Sequence, residues 1–301
     1  MSGTEALTPA DAPTGDAGAP LSDVLTARHS GSRRAWSIVR KIVLGVALPV
    51  LFVVAWDVIV RLGVFPSALI PAPTRVGYAI WQWSPFSGVK GTFYAGHLFT
   101  DAGATFRRVL VGFAFAAVIG VVLGILIGVS AITDELLSPL ARILSPVPPP
   151  TWIPVAIVII GLGETTNDFL TFLGAVLPIL STTASATAGV NRDLLRAGRM
   201  LGYNRLHLLT SVVFPAALPG IVGGLRLGVG ISWMMAVTSE MLAVHNGLGY
   251  TLWNAYNYLD YPGVFAAMIV TGVCGFASDA ILRLATRQVL RWQTETGVRG
   301  K

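Results

Sequence analysis

The chain has 301 residues, of which 53% are hydrophobic and only 12% charged, and its mean hydropathy is +0.69. A soluble domain of this length would have too little polar surface to cover itself, so the composition predicts an integral membrane protein. The net charge of +6 does not indicate a nucleic-acid partner, because the basic residues border apolar stretches and are explained by anionic lipid headgroups.

The first third of the chain predicts a tail, an anchor and a connection. Residues 1–35 are rich in small and polar residues and predict a disordered cytoplasmic tail. Residues 36–62 contain a first transmembrane anchor, about Ile42 to Val60, which lies too far into the chain for a signal peptide. Residues 63–105 predict a periplasmic connection, and Trp81 and Trp83 place it along the membrane interface as a short amphipathic helix.

Residues 106–290 predict the core transmembrane domain. Val109 to Val129 and Phe169 to Val190 carry no charge, and each is long enough to cross about 30 Å of hydrocarbon. Further spans are predicted at about Leu140 to Leu162, Gly220 to Val244 and Gly263 to Leu284. The fold class is therefore an all-α polytopic membrane protein with about six transmembrane helices, followed by a cytoplasmic tail at 291–301.

The distribution of Lys and Arg predicts the orientation. With the amino terminus in the cytoplasm, the inside segments hold 15 of the 21 basic residues. The outside segments hold Arg61, Arg75, Lys90, Arg107 and Arg108, and Arg226 lies within a span. Both termini and the polar segment 191–219 are thus expected in the cytoplasm, and the protein in the inner (cytoplasmic) membrane.

Prolines and glycines predict the local geometry of three spans. Five prolines between Pro146 and Pro154 cannot continue a regular helix, so the third span should begin extended or kinked. Glycines recur at every fourth residue in the second and fifth spans, which predicts close helix packing at Gly120, Gly124 and Gly128 and at Gly220, Gly224 and Gly228.

The polar segment 191–219 predicts a helical hairpin. Asn191 and Asp193 can cap a first short helix, and Gly202 can close it in the left-handed conformation. Asn204 can cap a second helix, which Pro215 and Pro219 are expected to bound.

The spacing within this segment resembles a known motif. Arg196-Ala197-Gly198, three residues, Gly202, nine residues and Val212-Val213-Phe214-Pro215 resemble the EAA loop of bacterial ABC importer permeases, E-A-A-x3-G-x9-I-x-L-P. The Pro-rich run, Gly161-Leu162-Gly163-Glu164-Thr165 and Gly247-Leu248-Gly249-Tyr250 resemble permeases for sulfonates, taurine and nitrate. The resemblance implies the type I importer fold, with the loop docking on an ATPase through Asp193, Arg196, Ala197, Gly198, Leu201, Gly202, Tyr203, Asn204, Leu206 and Pro215.

The resemblance also implies partners and cargo. The permease would act as a homodimer with two cytoplasmic ATPase subunits, a periplasmic or lipid-anchored binding protein and membrane lipids. No Gly-x-x-x-x-Gly-Lys-Ser/Thr loop is present, so no catalytic residue or cofactor is expected in this chain, and ATP and Mg²⁺ would be bound by the partner. The expected cargo is a small anion such as an alkanesulfonate, taurine or nitrate, although the same subfamily also handles pyrimidine precursors and aromatic acids.

Charged and hydroxyl residues inside the spans have two interpretations each. Asp57 and Asp279 are expected to reach an Arg or an interface, and Arg226 can pair with Asp279 or attract an anion. The hydroxyl groups between Ser181 and Thr187 either line a polar path or bond to their own helix. The candidate residues for a translocation path or gate are Thr182, Thr183, Arg226, Ser232 and Glu240.

Two alternatives remain open in the sequence. An ion-coupled secondary transporter would also have broken helices and buried charges, but it does not explain the spacing of the polar segment. Arg196 replaces the Glu of the motif, and either Asp193 pairs with it at i, i+3 spacing or the ATPase presents an acidic groove.

The four histidines have no metal-ligand spacing, and Cys274 is expected to be a small buried hydrophobe, so no metal site is predicted.

Overall fold

The computed structural model describes residues 45, 47–63, 66, 69–89 and 91–289. The two predicted tails and residues 42–44 of the first predicted span lie outside these ranges. The chain divides into two units, residues 1–64 and 65–301. In the first unit, helix α1 covers residues 47–61, and Arg61 Nε lies 2.6 Å from Asp57 Oδ2, which confirms the predicted Arg partner of Asp57.

The described residues of the second unit form helices joined by turns and loops. In chain order its helices are α2 (Pro73–Trp83), α3 (Leu98–Val129), α4 (Ala131–Leu144), a 3₁₀ turn (Pro149–Trp152), α5 (Ile153–Ile160), α6 (Glu164–Ala188), α7 (Arg192–Met200), α8 (Arg205–Leu208), a π turn (Leu209–Val213), α9 (Phe214–Ala243), α10 (Leu248–Asn257) and α11 (Tyr261–Val289).

Four helices of the described chain are long and apolar enough to cross a membrane: α3, α6, the continuous run Arg205–Ala243, and α11. A fifth candidate is the bent pair formed by α4 and the segment Pro149–Ile160. These segments and the absence of strands from the described residues confirm the predicted all-α polytopic fold class.

The third predicted span, Leu140 to Leu162, is wrong as a continuous helix. The chain bends by 90° between Ala131–Leu144 and Pro149–Ile160. The break falls in the proline run, because Pro148 to Pro150 lack the amide protons and the backbone freedom that a regular helix needs there. The predicted kink is thus confirmed, and it is sharp enough to divide the segment into two short helices.

Helix α6 forms the centre of the unit, between α3 and α9. A Cβ added to Gly124 of α3 would lie 2.6 Å from Thr183 Cβ, and one added to Gly228 of α9 would lie 2.6 Å from Ile179 Cδ1. The other predicted glycines of both helices approach α6 equally closely. These contacts confirm the predicted close packing and show that α3 runs parallel to α6 and α9 antiparallel to it.

The predicted interfacial connection also needs two corrections. It contains the expected short helix α2, but Trp83 is buried, and only Trp81 is exposed. Helix α3 begins at Leu98, eleven residues before the predicted span, so Arg107 and Arg108 are helical. The helix extends across these polar residues because Asp101 and Arg108 have buried polar partners.

Candidate functional site

A compact hairpin, α7 and α8, follows the end of α6. Asn191 Oδ1 accepts the amide hydrogen of Asp193 at 2.8 Å, and Asn204 Oδ1 accepts that of His207 at 2.7 Å. Asn191 and Asn204 therefore cap the two helices, as predicted, and Asp193 lies in the first turn of α7. The hairpin lies at the carboxyl end of α6 and so at the same end as the carboxyl terminus of α3.

Gly202 closes the first helix of the hairpin. Its φ is +79°, the left-handed conformation that L side chains disfavour. The Tyr203 amide donates to Gly198 O at 3.1 Å, and the Gly202 amide donates to Arg199 O at 3.0 Å, which is the Schellman pattern. Gly198 is buried, and a Cβ there would lie 2.6 Å from Leu208 Cδ1, so α7 and α8 pack closely at this point.

The outer surface of the hairpin combines apolar and basic side chains. Leu194, Met200, Leu201 and Leu206 are between 50% and 88% exposed. The same two helices carry the basic residues Arg192, Arg196, Arg199, Arg205 and His207. An exposed apolar patch next to positive charge is typical of a docking surface.

Arg196 and Asp193 form the internal pair that the spacing predicts. Arg196 Nη1 lies 3.4 Å from Asp193 Oδ1, and the two side chains are 70% and 79% exposed. An ion pair this exposed contributes about 0–1 kcal/mol. The guanidinium is therefore held only weakly and remains accessible to a partner.

The predicted end of the second hairpin helix is wrong. Pro215 and Pro219 do not bound it, because α8 continues through the π turn Leu209–Val213 into α9. Pro215 lies directly after the π turn, in the first turn of α9, and Pro219 lies inside that helix. The hairpin is thus continuous with a membrane helix.

A second polar site lies at the opposite end of the helices, around Arg108. This side chain is fully buried, and its Nη1 lies 2.6 Å from Oε1 of Glu240, which is also fully buried. Its Nε and Nη2 donate to both oxygens of Glu164 at 2.7 and 2.5 Å, and the backbone oxygen and side chain of Asn246 accept two further hydrogen bonds. The Arg108 cluster thereby joins α3, α6, α9 and the segment before α10.

Asp101 and Thr105 extend the Arg108 cluster along α3. Thr105 Oγ1 donates to Glu240 Oε2 at 2.9 Å and accepts from the Leu248 amide at 2.9 Å. Asp101 Oδ2 accepts from Trp83 Nε1 at 3.0 Å and from Thr251 Oγ1 at 3.1 Å. The sequence reasoning missed this cluster, although residues 101, 105 and 108 are spaced to share one helix face.

The structure does not bring the predicted path residues together in one site. Thr183, Ser232 and Glu240 are fully buried in contacts between helices. Thr182 Oγ1 donates to its own helix at Pro178 O, at 2.7 Å. Arg226 Nε donates to Asp279 Oδ1 at 3.2 Å, which confirms the predicted pairing. A role of these residues in a path or gate stays a prediction.

Comparisons with known proteins agree with this architecture. Residues 120–291 match the family described as binding-protein-dependent transport system inner membrane component. A putative ABC transporter permease of Methanocaldococcus jannaschii is 36% identical over 84% of this chain and 93% of its own length. A putative aliphatic sulfonates transport permease of Bacillus subtilis is 31% identical over 83% of this chain and 87% of its own.

A solved structure shares the fold. An inward-facing structure of the MetNI methionine ABC transporter matches with a TM-score of 0.53 at 23% identity, over 62% of this chain and 95% of the matched chain. At this identity the match supports the helix arrangement only. It is the arrangement that the EAA-like spacing implied, a type I ABC importer permease.

Proposed function

This chain belongs to the family of binding-protein-dependent transport system inner membrane components, and from that premise we propose that it carries a small anion inward when partner subunits hydrolyse ATP. It is a permease subunit of an ABC importer and a multi-pass membrane protein. Its cargo, partners and orientation are the parts that we propose here.

The α7–α8 hairpin carries the proposal. It presents Leu194, Met200, Leu201 and Leu206 to solvent beside four arginines, at one end of the membrane helices. Its helices are held in place by two asparagine caps and the left-handed turn at Gly202. A rigid, exposed hairpin of this composition fits the groove of an ATPase subunit, as the motif spacing implies.

The proposed assembly has two copies of this chain, two ATPases and a solute-binding protein. The hairpin and both termini would face the cytoplasm, where ATP is available, and the chain would reside in the inner (cytoplasmic) membrane. The Arg108 cluster, at the far end of α3, would then lie near the side from which the binding protein delivers its cargo. ATP and Mg²⁺ would be held by the ATPases.

Coupling in this assembly is a shift in population. If ATP binds the closed ATPase pair more tightly than the open pair, it stabilises the permease state in which the two hairpins are close together. The ratio of the ATP affinities of the closed and open ATPase pairs limits how far the equilibrium between the two permease states can shift. Hydrolysis removes the preference and returns the permease to its other state.

A small anion is the cargo that agrees best with the relatives. The similar permease of Bacillus subtilis is named for aliphatic sulfonates, and the subfamily resemblance also includes taurine and nitrate. The net charge of +6 agrees with an anionic solute and with anionic lipid. We therefore propose alkanesulfonate, taurine or nitrate as the substrate class.

Gly202→Val tests the docking role of the hairpin. A β-branched residue at φ +79° is strained, so the turn that orients α7 against α8 should be lost. We expect the variant to insert in the membrane but to lose copurification of its partner ATPase. Gly202→Asn, which tolerates this conformation better, should retain most of the copurification.

Gly96→Val is the matched control, since Gly96 has φ +81° and lies before α3, at the end opposite the hairpin. It imposes a similar backbone strain away from the docking surface. Docking through the hairpin would be refuted if Gly202→Val copurified the ATPase as well as the unmodified chain, or if both valine variants lost it equally at equal membrane levels.

A further inference from the structure

A groove of about 470 Å³ opens between α4 and the carboxyl half of α6. The end of α3, Ile127 to Val129, and Ser130, which caps α4, also line it. Since the α7–α8 hairpin follows α6 directly, the groove lies at the hairpin end of the membrane helices. Its volume is in the range of small-molecule sites.

Five serines line this groove, which we call the serine groove: Ser130, Ser138, Ser145, Ser181 and Ser185. Ser181 and Ser185 are one turn apart on α6 and are exposed. The face of α4 toward the groove carries Asp134, Ser138, Arg142 and Ser145, and the other side of α4 exposes Ile132, Leu136, Leu140 and Ile143. Helix α4 is therefore amphipathic, with its polar face toward the groove.

Arg142 is the arginine of the groove, and Asp134 is its acidic residue. Asp134 Oδ1 accepts a hydrogen bond from Ser138 and lies eight residues from Arg142, about 12 Å along the helix axis. Among the described residues Arg142 has no recorded ion pair, and its side chain is exposed. Arg226, by contrast, is held by Asp279 and does not line the groove.

We propose that the serine groove is a weak binding site for a small oxyanion, with Arg142 as the attracting cation and the hydroxyls of Ser130, Ser145 and Ser185 as hydrogen-bond donors. The other two serines already donate within the chain, Ser138 to Asp134 and Ser181 to Pro178 O. A planar guanidinium can donate two parallel hydrogen bonds to a sulfonate, nitrate or carboxylate group. Hydroxyl groups donate without adding charge, so the anion is stabilised but not held tightly. The inference rests on the proposed function, since it places the cargo at the hairpin end of the permease.

The single cysteine of the chain allows a direct test. In a Cys274→Ser background, Ser181→Cys and Ser185→Cys place one thiol in the groove, and Leu136→Cys places one on the opposite face of α4. Full-length protein in membranes is treated with an anionic or a cationic methanethiosulfonate reagent. The labelling rate of each cysteine variant is divided by the rate at which the same reagent labels a small free thiol. This ratio removes the difference in intrinsic reactivity between the two reagents.

We expect the groove thiols to react roughly threefold or more faster with the anionic than with the cationic reagent, because the Arg142 charge attracts the first and repels the second. Adding Arg142→Gln should abolish the preference, and Arg226→Gln should leave it intact. Methanesulfonate or nitrate at millimolar concentration should slow the labelling. Leu136→Cys should show neither the preference nor the protection.

Unreactive groove thiols, a preference that survives Arg142→Gln, or labelling that neither anion slows would each overturn the proposal. The rates are measured on the permease alone, so they do not depend on docking of an ATPase. If the groove responds as expected but Gly202→Val copurifies the ATPase as well as the unmodified chain does, the proposed docking function fails alone. If the unmodified chain copurifies the ATPase, Gly202→Val loses it and the groove does not respond, the groove proposal fails alone.

Discussion

Replacement of Arg108 by alanine should destabilise the permease more than any other single loss of charge described above. Arg108 donates hydrogen bonds to Glu240, to Glu164 and to Asn246, and both it and Glu240 are fully buried. Arg108→Ala leaves the Glu240 carboxylate without its cation in a site that water does not reach. Breaking such a pair from one side costs about 3–5 kcal/mol.

The magnitude converts to a measurable change in melting temperature. For a chain of this size, 1 kcal/mol corresponds to about 2–4 °C, so Arg108→Ala should melt about 6–20 °C below the unmodified protein. Unfolding of the purified protein in detergent can be followed by the reaction of Cys274 with a thiol-reactive fluorescent dye, because Cys274 is the only cysteine in the chain.

Two variants distinguish the effect of the unpaired buried charge from the effect of removing an arginine side chain at this end of α3. Arg107→Ala removes the neighbouring arginine, whose side chain is 51% exposed, and should cost less than about 1 kcal/mol. The double variant Arg108→Met with Glu240→Met leaves neither member of the buried pair alone, and should recover part of the lost stability. A melting temperature for Arg108→Ala within 2 °C of that for Arg107→Ala, an interval of about 1 kcal/mol, would refute the reasoning.

Three further predictions follow from other contacts. Asp193→Ala should lower the melting temperature by less than about 4 °C, because its ion pair with Arg196 is exposed. ATPase pull-down in low and high salt should show whether Asp193→Ala or Arg196→Glu weakens binding of the ATPase more. Burial and the Asp260 carboxylate raise the pKa of the Tyr94 hydroxyl, so the folded state favours its protonated form. The resulting stability is present below the unfolded tyrosine pKa of about 10 and lost as the pH rises above it, so melting curves from pH 9 to 11 should fall less steeply for Tyr94→Phe than for the exposed control Tyr78→Phe. Gly124→Leu should prevent close packing of α3 on α6 and lower the yield of folded protein in size-exclusion chromatography, whereas Gly103→Leu, with open space around it, should not.

The local features of the hairpin were predictable from the sequence. Asn191, Gly202 and Asn204 act on residues within one turn of themselves, so their conformations depend little on the rest of the fold. The pairing of Arg226 with Asp279 was also predictable, because a charge inside a span needs a partner. The close approach of the glycines followed from their spacing.

The Arg108 cluster could not be assembled in the same way. Its members come from residues 101 to 251, and nothing local indicates that Arg108 meets Glu164 and Glu240. The sequence prediction assumed that a charged residue ends a membrane span, so it placed Arg108 in a loop. In the structure Arg108 is buried within helix α3. The 90° bend after α4 was similarly open, since a proline run predicts a break but not its angle.

The continuity between the hairpin and α9 has a mechanical consequence. The run Arg205–Ala243 is 39 residues, about 58 Å of helix, and it begins at the surface proposed to meet the ATPase and carries Glu240 near its other end. Gly220, Gly224 and Gly228 hold the middle of this run in close contact with α6. A displacement of the hairpin would therefore tilt this continuous helix and strain the Arg108–Glu240 salt bridge near its other end. The π turn Leu209–Val213, where the hydrogen-bond register changes, is the place in this helix where bending strain should concentrate.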